Sequence, residues 1–218
     1  MSTFYLLPEE EKTPSSRHER RLRGQKAPFK PREVWAIRAL LQIEGRMREL
    51  ALFNLAIDSK LRGCDLVTLR IRDICAGGRV NERAIIIQKK THQPVQFELT
   101  EPTREAVQRW IAANELRGDD YVFPSRVRGC THLSTRQYAR AVNRWVACIG
   151  LDPHKYGTHS LRRTKAALIY KKTGNLRAVQ LLLGHTKVES TARHLGIDVD
   201  DALQISEQVE LYVAGTGR

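Results

Sequence analysis

With 218 residues, 41% of them hydrophobic, the chain is long enough to bury one substantial core with a tail left over. Its formal net charge of +13 departs far from that of an ordinary globular protein and points to a polyanionic partner, nucleic acid first. No apolar run approaches membrane-spanning length and the N-terminus has no apolar signal core, so a membrane role is excluded and a soluble, cytoplasmic protein is expected.

Residues 1–30 combine prolines and charge with little apolar periodicity, which predicts a flexible, extended arm rather than a packed element. Arg17, Arg20, Arg21, Arg23 and Lys26 either follow a DNA backbone or simply keep this arm solvated. A single domain is expected over residues 31–218. Val34, Ile37, Leu40 and Leu41 repeat at helical spacing, with Pro31 suited to the first turn. A second helix, from about Arg46 to Ser59, is apolar around most of its circumference and should be the central core helix. In the stretch from Ser59 to Ile74, taken alone, Arg62 and Asp65 form a common pair that is usually structural. Residues 84–88 and 95–99 are two short β candidates, and Pro94 with its polar neighbours marks the turn between them.

A helix from Thr100 shows Val107, Trp110 and Ile111 on one face and ends around Leu116 to Gly118. After a loop with Val122 and Phe123 at its centre, Ser134 and Gln137 are spaced as a capping box for a helix that Gly150 closes. Along that helix Arg136, Arg140 and Arg144 form a stripe, either a solvated face or a surface aimed at a nucleic-acid groove. Cys64, Cys75, Cys130 and Cys148 have no metal-ligand spacing and read as buried or incidental thiols in a reducing compartment.

The stretch from Gly157 to His194 contains three short helices. The first carries His159, Leu161 and Arg162 in its first turn and ends near Gly174. The second follows Asn175 as N-cap, buries Leu176, Val179, Leu182 and Leu183, and stops at Gly184. The third opens with Thr186 and Glu189 at capping-box spacing and stops at Gly196. Imidazoles and guanidinium groups thus recur where helices begin and end, an arrangement suited to holding a phosphate. Asp198 can cap a last helix, after which Leu211, Tyr212 and Val213 pack either on their own domain or on a neighbouring protomer.

H-x-L-R at His159 to Arg162, followed by L-L-G-H with its histidine twenty-six positions after the first, resembles the catalytic core of tyrosine recombinases, the phage-integrase family. The resemblance covers roughly residues 31–215. It implies a mainly α-helical catalytic domain with a small antiparallel β-hairpin or sheet, acting on double-stranded DNA with no metal or other cofactor. It implies that Arg62 and Arg162 hold the scissile phosphate, that His159 is base or proton shuttle, and that His185 hydrogen-bonds the phosphate. A hairpin lysine, Lys90 first and Lys89 second, would protonate the leaving 5′ oxygen. Arg136, Arg140, Arg144, Lys89 and Arg163 are the expected further DNA contacts. Self-association on DNA as dimer or tetramer, an accessory DNA-bending protein and a place in a bacterial mobile element are also implied.

The chain departs from the family pattern at four points. Lys60 stands where glycine is usual, Asp65 where glutamate is usual, and only about thirty residues precede the catalytic core, where most of the family carry a separate helical domain. The fourth departure governs activity: nine positions after His185, where the family has its tyrosine nucleophile, stands His194. Three readings follow, in order of preference: loss of cleavage with DNA binding retained, attack by the imidazole itself, or substitution by another tyrosine such as Tyr212. A DNA-binding regulator that keeps the phosphate pocket without enzymatic activity is the rival to a recombinase.

Overall fold

The computed structural model describes residues 25–197; the expected helix after Asp198 and the apolar tail around Tyr212 lie outside the described residues. Helix α1, Pro31–Ile43, starts where Pro31 allows, and Glu33 in its first turn accepts a hydrogen bond from the Lys30 amide at 2.8 Å. Helix α2, Met47–Ser59, is buried without a break from Leu50 to Ser59. Its all-round apolar character has the expected cause, since protein surrounds it.

Lys60 ends α2 in the left-handed conformation, φ 55° and ψ 22°. This is the backbone a glycine would take freely; a lysine takes it at a cost of about 1–2 kcal/mol. The side chain turns inward, donating to the Asp58 carbonyl at 2.6 Å and to both Glu98 carboxylate oxygens at 3.0 Å. Lys165 shares the Glu98 carboxylate, at 2.6 Å, and also pairs with the Asp58 carboxylate at 2.8 Å. Burial pulls the Lys60 ammonium below its ordinary pKa in spite of Glu98.

Two single-turn helices follow, α3 (Gly63–Leu66) and α4 (Ile71–Ile74). A small antiparallel pair, β1 (Cys75–Ala76) and β2 (Arg79–Val80), adds to the expected elements. Its signal is Gly77-Gly78, both at positive φ, the pair that a two-residue hairpin turn requires. Strands β3 (Arg83–Ile87) and β4 (Pro94–Glu98) form the expected hairpin, with Ile85 opposite Gln96 and Ile87 opposite Pro94. Pro94 therefore opens a strand rather than sitting in the turn, a position where its missing N–H costs nothing. The turn is closed by Gln88 N–H to the Gln93 carbonyl and His92 N–H to the Gln88 carbonyl, at 2.9 and 2.8 Å.

Helix α5, Glu101–Ala113, packs on α2 through the face expected of it. In α6, Thr135–Cys148, the capping box forms: the Gln137 amide donates to Ser134 Oγ at 3.1 Å and the Ser134 amide to Gln137 Oε1 at 2.9 Å. Helices α7 (Thr158–Thr173), α8 (Leu176–Leu183) and α9 (Val188–Leu195) end at Gly174, Gly184 and Gly196, all left-handed as anticipated. The box expected at Thr186 and Glu189 does not form. Helix α9 takes Lys187 as its N-cap, one residue later, so Thr186 is out of register with the free amides.

One core runs from Phe29 to Leu161, with Phe53 edge-on to Trp145 at 5.5 Å near its middle. A second, small cluster of Ala166, Val179 and Leu183 joins the distal half of α7 to α8 and α9. Residues 25–30 correct the expectation of an arm up to residue 30. Phe29 is buried, stacks on Tyr156 at 4.7 Å, and its amide donates to Thr164 Oγ1 at 3.0 Å. A single aromatic anchor in a polar stretch leaves no periodicity to read. Among the described residues no helix is long and apolar enough to cross a membrane.

Candidate active site

The left-handed turn at Lys60 delivers Arg62 to the start of α3, and the same turn offers its carbonyl to Arg162. From the first turn of α7, Arg162 donates to the Lys60 carbonyl at 2.5 Å through Nη1, and to the Leu183 carbonyl at 2.8 Å through Nη2. Nη2 also lies 3.3 Å from His185 Nε2. Gly184, which reverses the chain after α8, sets both the Leu183 carbonyl and His185 within reach of that guanidinium.

Arg62, Lys90, His159, His185 and His194 line one concavity of about 460 Å³, although they are scattered over the chain. Arg162 does not line it; it is buried immediately against His185. Lys90 faces the concavity and Lys89 does not: Lys89 donates its backbone amide to Asp65 Oδ1 at 2.9 Å. Buried Asp65 thereby fastens the hairpin, while its Oδ2 has no partner among the described residues. Arg163, expected to face DNA, is instead buried as part of the wall, with Nη1 donating to the Lys26 carbonyl at 2.6 Å.

Arginine can only donate, so His185 Nε2 must accept from Arg162, which puts the His185 proton on Nδ1, 3.1 Å from Thr191 Oγ1. Burial, then the charges of Arg162 and Arg62, hold His185 down at about 4. The same combination lowers His159, with burial first and Arg162 next. His194 is pressed to about 2 by burial and by Arg162. Its ring stands edge-on to His185 at 5.4 Å, and its Nε2 is buried without a hydrogen-bond partner among the described residues. Arg162 itself falls to about 9 through burial and the neighbouring Arg62. The three histidines are thus neutral near pH 7, and the positive charge of the site resides in its arginines and Lys90. A monoanionic phosphodiester would offset the arginine charges that form part of each of these shifts, though not the burial that leads them.

The site also has contributors outside the expected catalytic set. Gln25 and Lys26 line the concavity, Lys26 having been expected only as part of a basic arm, and Gln25 Nε2 donates to the Arg193 carbonyl at 2.8 Å, beside position 194. Gln88 is fully buried and accepts from Arg62. Its signal was the β alternation itself: Ala84, Ile86 and Gln88 fall on the inward face, so a glutamine sits where an apolar residue is due. Thr191 left no comparable trace.

The arginine stripe of α6 lies elsewhere. Arg140 and Arg144 border a second concavity of about 250 Å³ with Arg48 and Arg126, while Arg136 is exposed beyond it. This concavity adjoins Glu49 and Leu52 near the start of α2, whereas the first lies past its end, about 18 Å along the helix. Arg144 Nη2 donates to Glu49 at 3.2 Å. Burial would raise the Glu49 carboxyl, but hydrogen bonds from Trp145, Arg46 and Arg144 hold it below the ordinary range.

The sequence profile of the phage integrase family matches residues 29–198. The chain is 27% identical to a probable integrase/recombinase, YoeC, of Bacillus subtilis strain 168, over 70% of this chain and 80% of that protein. It is 29% identical to the tyrosine recombinase XerC of Actinobacillus pleuropneumoniae over 73% of this chain and 50% of that protein, so it spans about half the length of that relative. Its fold resembles that of the site-specific recombinase XerH bound to its difH substrate, with a TM-score of 0.64 at 21% identity, covering 84% of this chain and 55% of the other.

Proposed function

The chain belongs to the phage integrase family, and from that premise we propose that it binds a recombination site in duplex DNA, seats one phosphodiester in the concavity, and does not cleave it. The observation that carries this reading is the convergence of Arg62, Lys90, His159, His185 and His194 on one basic hollow with Arg162 behind it. Two guanidinium groups and a lysine can neutralise the non-bridging oxygens of a phosphate as it passes through a five-coordinate transition state. His159 is suited to move a proton, Lys90 to donate one to the departing oxygen, and His185 to donate a hydrogen bond to the phosphate once Arg162 releases its Nε2 and the ring proton moves there from Nδ1. XerH, which shares the fold, is captured with its DNA substrate. Self-association on DNA, with an accessory bending protein, would supply phosphate contacts beyond those of one domain.

What is missing is a nucleophile of the family's kind. The His194 imidazole is neutral, which leaves it a lone pair, but it reaches about 2 Å less far than a tyrosine oxygen, and misplacement by about 1 Å costs on the order of a hundredfold. His194 therefore serves this chain as a neutral wall of the phosphate site.

The test is a paired one. Duplex affinity of the unmodified protein should fall steeply with salt, and no covalent adduct should form on a nicked substrate that traps cleavage. His194→Tyr should then yield a covalent 3′-phosphotyrosyl adduct, lost again on Arg162→Ala in the same background. A tyrosine variant that binds the site and stays inert would favour the non-enzymatic regulator. Ready cleavage by the unmodified chain would make an imidazole or another side chain the nucleophile and refute this reading.

A further inference from the structure

The chemistry assigned to the site leaves out the side chain on which most of its segments meet. Gln88 is fully buried. Its Oε1 accepts from Arg62 Nη1 at 2.5 Å and from Thr91 Oγ1 at 2.8 Å, and its Nε2 donates to the Leu183 carbonyl at 3.2 Å. That carbonyl, at the end of α8, is the one that also takes Arg162 Nη2. The Gln88 backbone meanwhile closes the turn that carries Lys90, through its bonds with Gln93 and His92. Gly184 is fitted to the same group: a Cβ there would stand 3.0 Å from Gln88 Nε2, so the glycine is required by close approach as well as by its φ of +61°.

We propose that Gln88 is a positioning residue that couples the lysine hairpin to Arg62. One amide holds the Arg62 guanidinium toward the concavity, and the same amide ties the hairpin to the end of α8. The hairpin cannot lift away without releasing Arg62. An amide suits the task because it offers an acceptor and a donor while leaving Arg62 its full charge for a phosphate. A glutamate would accept from Arg62 but cancel that charge, and a leucine would fill the space and bond to neither. The effect on DNA rests on the binding reading given above; the coupling of hairpin to arginine does not.

The experiment uses the full chain and two variants, Gln88→Leu and Gln88→Glu. Side-chain NMR reports rotation of the Arg62 guanidinium, amide exchange reports Lys89 and His92 against Leu55 in α2, and titration reports duplex affinity. In Gln88→Leu, rotation of Arg62 should become free and the two hairpin amides should exchange at least about tenfold faster while Leu55 is unchanged. Duplex binding should weaken about tenfold, the scale of one hydrogen bond to a charged group. In Gln88→Glu, Arg62 should stay restricted while the hairpin loosens and duplex binding falls at least as far. Gln88→Leu with Arg62 rotation and hairpin exchange at parental values would overturn the proposal. If Leu55 accelerates along with the hairpin, Gln88→Glu decides: free rotation of Arg62 there would overturn it, and restricted rotation would support it. An unmodified chain that fails to bind duplex would refute the DNA reading and leave the positioning role to be decided by the first two measurements.

Discussion

Mild acidification should destabilise this protein through His185 and His194, well above the range in which its carboxylates titrate. Both imidazoles have folded pKa values far below their ordinary 6.5, at about 4 and about 2. A depressed histidine stays neutral in the fold while the unfolded chain takes up a proton, so stability is greatest above 6.5 and is lost as the pH falls below it. Between pH 7 and pH 5 the linkage amounts to about 1.8 kcal/mol per histidine, or about 3.6 kcal/mol for the pair. Because both rings are only partly buried, solvent screening should reduce the sum to about 2 kcal/mol. Urea unfolding at pH 7 and pH 5 measures it, with a His185→Asn, His194→Asn double variant as control. The carboxylates with depressed values, Asp58, Glu49 and Glu98, contribute little above pH 5 and contribute it equally to both proteins. A parental protein equally stable at both pH values, or a double variant that loses as much as the parent, would refute the reasoning.

Other perturbations separate neighbouring roles. Lys165→Met should cost about 3 kcal/mol in urea unfolding, because it strips the cation from Asp58, whose side chain is 3% exposed. Lys60→Met should cost less than about 1 kcal/mol, since Lys165 still serves Glu98 and the lysine charge is unfavourable where it lies. Phe29→Ala should cost about 3–4 kcal/mol, which a dispensable arm residue could not do. If the α6 stripe meets DNA, Arg140→Gln should lower the slope of log affinity against log salt by about 0.9, and Arg144→Gln by less because Glu49 already holds that guanidinium.

Local chemistry was the most legible part of this sequence. Ser134 with Gln137, and the glycines at 174, 184 and 196, each mark an element end because the backbone needs that residue there. The chemistry of the concavity was legible only as an ordered set, because Arg62 and His185 are ordinary residues until the fold joins them. Three features were hidden for separate reasons. Lys60 gives no sign of a left-handed backbone, since its strain is offset by Asp58 and Glu98, far away or out of pattern. Phe29 holds its segment by one contact rather than a periodic face. Arg163 reads as a surface cation, whereas in the fold it is buried and donates to the Lys26 carbonyl of the docked N-terminal segment.

The small cluster of Ala166, Val179 and Leu183 gives the site two tiers of durability. Arg62, His159 and Arg162 belong to segments anchored in the large core, through Leu61, Leu66 and Leu161. His185 follows α8 and His194 lies on α9; these helices meet the distal half of α7 through few apolar side chains, and α8 also packs on β4. Opening that unit exposes little surface, so its free energy should lie well below that of global unfolding. The two histidines can then depart together while the arginines stay in place. Chain crossings at Leu183 and Gln25 act as the latches, and amides of α8 and α9 should exchange in a faster class than those of α2. Whatever residue occupies position 194 thus sits on the thinly packed side of the site, opposite guanidinium groups anchored in the large core.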